Sequence, residues 1–216
     1  MRQRHPASLY LLFFTEMWER FGFYCMEAVF VYYMKCSQYE FLRENYSRIY
    51  GVYLAGVYFS PFVGGLLAEW RLGYFLSIII GGSCMAIGYG LLSLEPAMCF
   101  AVGLACIIVG NGLFKPNIST MVGKLYPSGD GRIDAAFTIF YMGINVGALF
   151  APIVAGITAN LVKRHTTWDE RYGYLLVFAI AAAGMIIGEI IFLATRKHIR
   201  LHQTEIGGYT VEQKWH

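Results

Sequence analysis

The chain has 216 residues, of which 57% are hydrophobic and 14% are charged, and its mean hydropathy is +0.49. Soluble domains carry about 25% charged residues, so this composition excludes an ordinary soluble protein and indicates a membrane protein. The net charge of +3 is spread over polar segments without a basic run, which argues against a nucleic-acid partner. The five cysteines form no CxxC pair and predict neither a disulfide framework nor a metal site.

Six stretches are long and apolar enough to cross a bilayer, which requires about 20 mostly apolar residues per helix. In chain order they are residues 8–34, 46–68, 73–94, 97–124, 134–161 and 173–195. Short polar segments separate them, and residues 196–216 are polar. We therefore predict an all-α membrane protein with a six-helix transmembrane bundle over residues 1–195, followed by a cytoplasmic tail over residues 196–216.

The orientation is predicted from the lysines and arginines on each side of the bundle. With the N-terminus in the cytoplasm, nine of them lie on the cytoplasmic side: Arg2, Arg4, Arg71, Lys124, Arg132, Arg196, Lys197, Arg200 and Lys214. Six lie on the opposite side: Lys35, Arg43, Arg48, Lys163, Arg164 and Arg171. This excess favours a multi-pass protein with both termini in the cytoplasm.

The first stretch contains the sequence FFTEMWERFGFY (13–24), with three charges in an otherwise apolar run. On a helix, Glu16, Glu19 and Arg20 fall within about 100° of one another, and so does Glu27. Each charge near the bilayer centre costs about 2.5–3.5 kcal/mol on insertion scales, so this face is not predicted to contact lipid. We expect it to face other helices or water.

Lys115, in GLFKPNIS (112–119), is the other charge deep in a predicted span and is the expected partner of this face. Glu16, Glu19, Arg20 and Lys115 sum to zero charge, and such a group can accept a proton on one glutamate and release the lysine to another partner. The alternative is a static buried salt bridge that fixes the first helix against the fourth.

Other polar groups in the predicted spans are few. Tyrosine and asparagine there either bond between helices or line a wet pocket, and the sequence leaves both open for Tyr24, Tyr58, Asn111, Asn117 and Asn145. For Glu27, a snorkelling or cavity-rim role and a central role both stay open, whereas Glu189 is interpreted as an interfacial acid near Arg196. All five histidines lie outside the spans, so carboxylates are expected to carry any protons. No enzyme motif occurs, and no cofactor is predicted besides protons as a coupling ion.

Four segments in order resemble signatures of the proton-dependent oligopeptide transporters, the peptide branch of the major facilitator superfamily. EMWERFGFY (16–24) is similar to the family's ExxERFxYY motif, and VYFSPFVGGLLAEWRLG (57–73) to its second helix and following loop. GNGLFKPNIS (110–119) resembles the lysine-bearing fourth helix, and DAAFTIFYMGINVGALFAP (134–152) the FYxxINxG signature of the fifth. The resemblance implies the N-terminal bundle of a major facilitator superfamily fold, with 196–216 as the tail or the start of the linker to a second bundle.

The resemblance also implies roles for individual residues. Glu16, Glu19, Arg20 and Lys115 match the family's proton-coupling network. Tyr24, Tyr58 and Asn145 match positions that contact the peptide, with Arg20 and Lys115 near its carboxylate. The implied activity is symport of protons with di- and tripeptides across the cell's inner membrane. The sequence departs from the family at Phe23, which removes one tyrosine hydroxyl, and at Glu27, which stands where many relatives have arginine.

Transporters of this type have a second six-helix bundle, so the expected partners are membrane lipid and either that C-terminal bundle or a second copy of this chain. Two alternatives stay open at this point. The same fold could move another small anion such as nitrate, or the chain could be a truncated remnant that transports nothing.

Overall fold

The computed structural model describes residues 4–165 and 169–205, and within them the chain forms six α-helices. Helix α1 spans Ala7–Cys36, α2 Glu40–Leu67, α3 Tyr74–Leu92, α4 Ala97–Gly123, α5 Ile133–His165 and α6 Glu170–Glu205. Each coincides with a predicted stretch. The last part of the predicted tail, 206–216, lies outside the described residues.

The largest differences from the predicted bounds are at the end of α6, which continues to Glu205 instead of ending at residue 195, and at the start of α2, which begins at Glu40 instead of residue 46. Residues 196–205, predicted to belong to the tail, therefore continue the last helix. The polar segment KCSQYEFLREN (35–45) was expected to form a connection between spans, but most of it is helical. Tyr39 N–H donates to Ser37 Oγ over 3.2 Å, and the Arg43 guanidinium donates to the Ser37 carbonyl over 2.8 Å. These bonds hold a tight three-residue connection, so the charged residues form an extra turn at the start of α2.

Five of the helices are long and apolar enough to cross a membrane: α2 with the turn that follows it, α3, α4, α5 and α6. Helix α1 is 30 residues long but lies outside this set. Its charges distinguish it from the others, since Glu16, Glu19, Arg20 and Glu27 all lie within it.

The bundle is built around α1 and α4. Helix α1 packs against α5 and α6, whereas α4 packs against α2 and α3, and α3 also contacts α6. Glycines allow the close approach of α3 and α4: a Cβ on Gly81 would lie 2.7 Å from the Gly110 carbonyl oxygen, and one on Gly88 would lie 2.8 Å from the Gly103 oxygen. Small residues at helix contacts are the usual way in which membrane helices pack closely.

At one end of the bundle, the core is a cluster of aromatic rings. Phe30 and Tyr33 of α1 both stack on Phe100 of α4, with ring centroids 5.8 Å and 5.6 Å apart. Tyr33 also meets the edge of Phe178 of α6 at 5.3 Å. The cluster therefore packs α1, α4 and α6 against one another at the C-terminal end of α1.

At the opposite end, the connection between α4 and α5 is joined to the residues before α1. Arg132 forms an ion pair with Asp130 over 2.6 Å and donates to the Arg4 carbonyl over 3.0 Å, while His5 Nδ1 lies 2.8 Å from the Tyr126 hydroxyl. The hydrogen bonds from Arg132 lower the pKa of Asp130 to about 2, so its carboxylate is ionised at neutral pH. The segment SGDGRID (128–134) thus contains a local ion pair.

Candidate functional site

The candidate site is centred on the charged face of α1. Glu16, Glu19 and Arg20 are buried, with exposed fractions of 1%, 0% and 3%. Their i, i+3 and i+4 spacing places them on one face of the helix, as the sequence predicted. Three ionisable side chains are therefore enclosed by protein, where each isolated charge would be costly.

Arg20 is the centre of this cluster. Its Nε and Nη2 groups donate to the two carboxylate oxygens of Glu19, and its Nε lies 3.6 Å from Oε1 of Glu16. The forked guanidinium matches the two oxygens of a carboxylate, which makes this the strongest kind of charged hydrogen-bond pair. The other oxygen of Glu16, Oε2, is buried and has no hydrogen-bond partner among the described residues.

Asn111 connects the cluster to two other helices. Its side-chain oxygen accepts a hydrogen bond from Arg20 Nη2 over 3.3 Å, and its amide donates to the Val57 carbonyl of α2 over 3.0 Å. Asn111 is fully buried. Of the two roles left open by the sequence, the structure gives this residue the interhelical bond, so a movement of the Arg20 side chain would alter contacts among α1, α2 and α4.

Lys115 lies one helical turn beyond Asn111 on the same side of α4 and is half-buried. It is close enough to interact electrostatically with Arg20, Glu19 and Glu16. In the described part of the chain, however, it is not within ion-pair distance of either glutamate. The direct partner of Glu19 is Arg20, and the exchange of Lys115 between partners stays a prediction.

The three predicted peptide-contacting residues lie on three helices. Tyr24 of α1 is half-buried with its ring 5.4 Å from that of Phe23, whereas Tyr58 of α2 is 77% exposed and Asn145 of α5 is exposed. None of their side chains forms a hydrogen bond within the described residues. The hydroxyl and amide groups are thus available to a ligand, and their roles remain predictions.

Helix α5 approaches the cluster closely at Gly147. A Cβ on this residue would lie 2.5 Å from the Met17 carbonyl oxygen and 3.2 Å from Arg20 Cβ. Because Asn145 precedes this contact by only two residues, it lies near the level of the cluster along the bundle.

Farther along α1, Glu27 is half-buried and accepts a hydrogen bond from the Tyr50 hydroxyl of α2 over 2.6 Å. This contact favours the interpretation of Glu27 as a cavity-rim acid over a snorkelling one, because the carboxylate is held by the neighbouring helix.

Two further polar groups were not predicted from the sequence. The hydroxyls of Tyr53 in α2 and Tyr89 in α3 are both buried and have no hydrogen-bond partner among the described residues. Their only signal in the sequence is a tyrosine within an apolar run, which is common at membrane interfaces and therefore carries little information.

Glu189 of α6 does not lie at the interfacial position near Arg196 that was predicted for it. Both of its carboxylate oxygens are buried and have no hydrogen-bond partner within the described chain, and its Cδ would lie 3.0 Å from a Cβ on Gly82 of α3. Arg196 instead lies over the Phe75 ring, 5.7 Å from its centroid. The carboxyl occupies the space that the missing side chain of Gly82 leaves.

We expect Glu189→Met to raise the free energy of unfolding by about 1–3 kcal/mol, because a buried polar group without a partner is replaced by an apolar one of similar length. Thermal unfolding in detergent measures this change. Glu189→Gln is the control and should gain less, since its amide is still polar. A loss of stability in the methionine variant would contradict the expectation.

No group of three histidine, cysteine, aspartate or glutamate side chains that could hold a metal ion occurs in residues 4–165 and 169–205. The site combines a buried ionisable cluster with exposed hydrogen-bonding groups. Such a site can exchange protons and bind a small polar ligand without altering it covalently.

Comparisons with known proteins identify relatives among membrane transporters. The family model of the POT family matches residues 75–211. The chain is 39% identical over 198 residues to the uncharacterized transporter YclF of Bacillus subtilis, covering 89% of this chain. It is 36% identical over 197 residues to dipeptide and tripeptide permease B of Xenorhabdus bovienii, covering 90% of this chain. It spans 38% of the length of each of these relatives.

Solved structures give the same result. The peptide transporter POT in complex with sulfate superimposes with a TM-score of 0.80 and 38% identity, over 97% of this chain and 42% of that one. Tetrameric PepTSo2 gives a TM-score of 0.81 and 30% identity, over 90% of this chain and 41% of that one. The chain, with its membrane-spanning helices, belongs to the POT family, which is a family of multi-pass membrane transporters and not of enzymes.

Proposed function

We propose that this chain is the N-terminal six-helix bundle of a proton-coupled symporter of di- and tripeptides. It has the major facilitator superfamily fold, lies in the cell's inner membrane, includes α1 as a sixth span and has both termini in the cytoplasm. The observation that carries the proposal is the buried cluster of Glu16, Glu19 and Arg20 on α1, in a chain that belongs to a transporter family. Buried ionisable groups in membrane helices typically mark ion and substrate pathways.

The contacts of Arg20 support proton coupling. While Glu19 is ionised, both of its oxygens hold the guanidinium. A proton on Glu19 removes this attraction, and Arg20 is then able to bind the carboxylate of a substrate through the same fork. Lys115 supplies a second cation beside it, and Glu16 a second carboxylate, so the four groups exchange protons and partners without a large change in net charge.

The substrate class is supported by the exposed polar groups and by the relatives. Tyr24, Tyr58 and Asn145 offer donors and acceptors that suit a peptide backbone and do not discriminate between side chains. Relatives of this chain include a dipeptide and tripeptide permease and a peptide transporter. Two cations beside neutral polar groups are a suitable receptor for a short peptide with a free carboxylate.

The expected partner is a C-terminal six-helix bundle, which would pack on α2 and α5. In the apolar stretches of these two helices only 22% of residues are buried, against 44–56% in α3, α4 and α6. Large apolar side chains are exposed on both, including Tyr58, Phe62, Leu149 and Phe150. Residues 1–195 would then form the bundle, residues 196–216 a tail or the start of the linker, and membrane lipid would cover the remaining apolar surface.

Uptake by the full-length protein in liposomes tests the function. With an imposed proton gradient, we expect accumulation of labelled dialanine, and at least about a tenfold lower rate for Glu19→Gln and for Lys115→Ala. Glu44→Gln, an exposed glutamate at the start of α2, is the control and should transport normally. Undiminished uptake by both site variants would overturn the proposal, and competition by nitrate but not by unlabelled peptide would identify an anion transporter instead.

A further inference from the structure

The buried hydroxyls of Tyr53 and Tyr89 have no role in the function proposed above. Tyr53 is 1% exposed and Tyr89 is 0% exposed, and neither hydroxyl has a hydrogen-bond partner in the described part of the chain. Phenylalanine would fill the same space without burying a polar atom, so packing does not account for the hydroxyls. Unpaired buried groups of this kind are commonly satisfied by internal water.

Tyr89 lies beside the charged cluster. Its ring packs against α1 at Gly22, where an added Cβ would be 3.5 Å from the Tyr89 Cε2 atom. It interacts electrostatically with Glu19 and Arg20. The absent side chain of Gly22 therefore admits the ring to α1 three residues after Glu19, less than one turn farther along the helix.

Tyr53 lies nearer to Glu27. Its ring meets the edge of Phe30 of α1 with centroids 5.2 Å apart, and it interacts electrostatically with both Tyr89 and Glu27. Glu27 in turn accepts the hydrogen bond from Tyr50, and both of these residues are half-buried. Glu27, Tyr53 and Tyr89 thus form a series that begins at a partly exposed carboxylate and ends at the enclosed cluster.

The distance between Glu19 and Glu27 along α1 explains why a relay is needed. Glu19 and Glu27 are eight residues apart, which corresponds to about 12 Å along a helix, too far for a proton to pass directly. The cluster itself is closed, since no member is more than 3% exposed. Of the other nearby groups, the Cys25 thiol donates to the Ala151 carbonyl and is not free to join such a path.

We infer that Tyr53 and Tyr89 relay protons between Glu27 and the Glu19–Arg20 pair, with internal water between the hydroxyls. A phenol both donates and accepts, so each tyrosine passes its own proton onward as it accepts another and is unchanged afterwards. The net step moves one proton from Glu27 to Glu19. This inference rests on the proposed function and assigns the route by which its coupling ion reaches the site.

Tyr53→Phe, Tyr89→Phe and the double variant of the full-length protein test the relay in liposomes. With a proton gradient, the double variant and Glu27→Gln should accumulate labelled dialanine at least about tenfold more slowly than the unaltered protein. Exchange of labelled for unlabelled dialanine without a gradient moves no net proton and should be unchanged. Tyr33→Phe is the control. Tyr33 is a buried tyrosine of α1 in the same aromatic cluster, but its side chain faces Glu95 and Arg171 and is not part of the relay.

Each outcome is decisive. Selective loss of gradient-driven uptake, with exchange retained, supports the relay. Normal gradient-driven uptake in the double variant overturns it, and so does an equal loss of uptake and exchange, which would indicate damage to packing. If the unaltered protein does not exchange dialanine at all, the proposed function fails, and this result is separate from a failure of the relay alone.

Discussion

Arg20→Met is expected to destabilise the bundle by about 3–5 kcal/mol, because it leaves two buried carboxylates without their cation. Among the described residues, Arg20 is the only cation within ion-pair distance of Glu16 and Glu19. The substitution also removes the hydrogen bond to Asn111. The yield of monodisperse protein and the midpoint of thermal unfolding in detergent measure the loss.

A matched variant separates charge from packing. Glu16→Gln and Glu19→Gln combined with Arg20→Met keep the shapes of the side chains but remove all three charges. Because an apolar or neutral replacement of a whole buried ion pair is often tolerated, this triple variant should recover most of the lost stability. It should still fail in gradient-driven uptake. If Arg20→Met is as stable as the unaltered protein, or the triple variant is no better than the single one, the pairing is not what stabilises α1.

The helices and the charged face of α1 were predictable because both depend on local periodicity. The apolar stretches had the length a bilayer requires, and the spacing of Glu16, Glu19 and Arg20 allowed only one face. The membership of the chain in a peptide transporter family was also predictable, and the POT family match confirms it. These inferences need no knowledge of how one helix packs on another.

The contacts inside the cluster were not predictable in the same way. A lysine on another helix was the expected partner of the glutamates, yet Arg20 is paired with Glu19, its neighbour in the chain. Which of two cations takes a carboxylate depends on side-chain rotamers and on the separation of α1 and α4, which a sequence pattern does not contain. The bond from Asn111 to both Arg20 and Val57 likewise depends on three helices meeting.

The polar groups that the sequence analysis missed illustrate the same limit. Tyr53 and Tyr89 look like other aromatic residues in an apolar run, and only their burial without a partner marks them. Glu189 was placed at an interface by its distance from the predicted end of the span. The structure places it against α3 because Gly82 leaves room there, a complementarity between helices that lie far apart in the sequence.

Gly64→Ala is expected to destabilise the protein by about 1–3 kcal/mol or more through overpacking, although alanine favours helix. An added Cβ would lie 2.9 Å from the Leu113 backbone nitrogen and closer still to the Gly112 carbonyl of α4. Backbone atoms of a helix cannot relieve such a clash by changing rotamer, as a side chain can. Helices α2 and α4 would therefore have to separate, which stretches the bond from Asn111 to Val57 and displaces the partner of Arg20.

The adjacent glycine provides the control for this prediction. At Gly65 the nearest atom to an added Cβ is Pro116 Cβ at 3.7 Å, which is an ordinary van der Waals contact. Gly65→Ala should therefore be neutral or should gain up to about 1 kcal/mol from helix propensity. Thermal unfolding of the two variants in detergent gives the comparison, and equal midpoints would show that α2 and α4 are not packed as closely as described. Asn111, which is bonded to α2, is the neighbour of the Gly112 carbonyl that Gly64 contacts. Gly64→Ala should therefore also slow gradient-driven uptake, whereas Gly65→Ala should leave it unchanged.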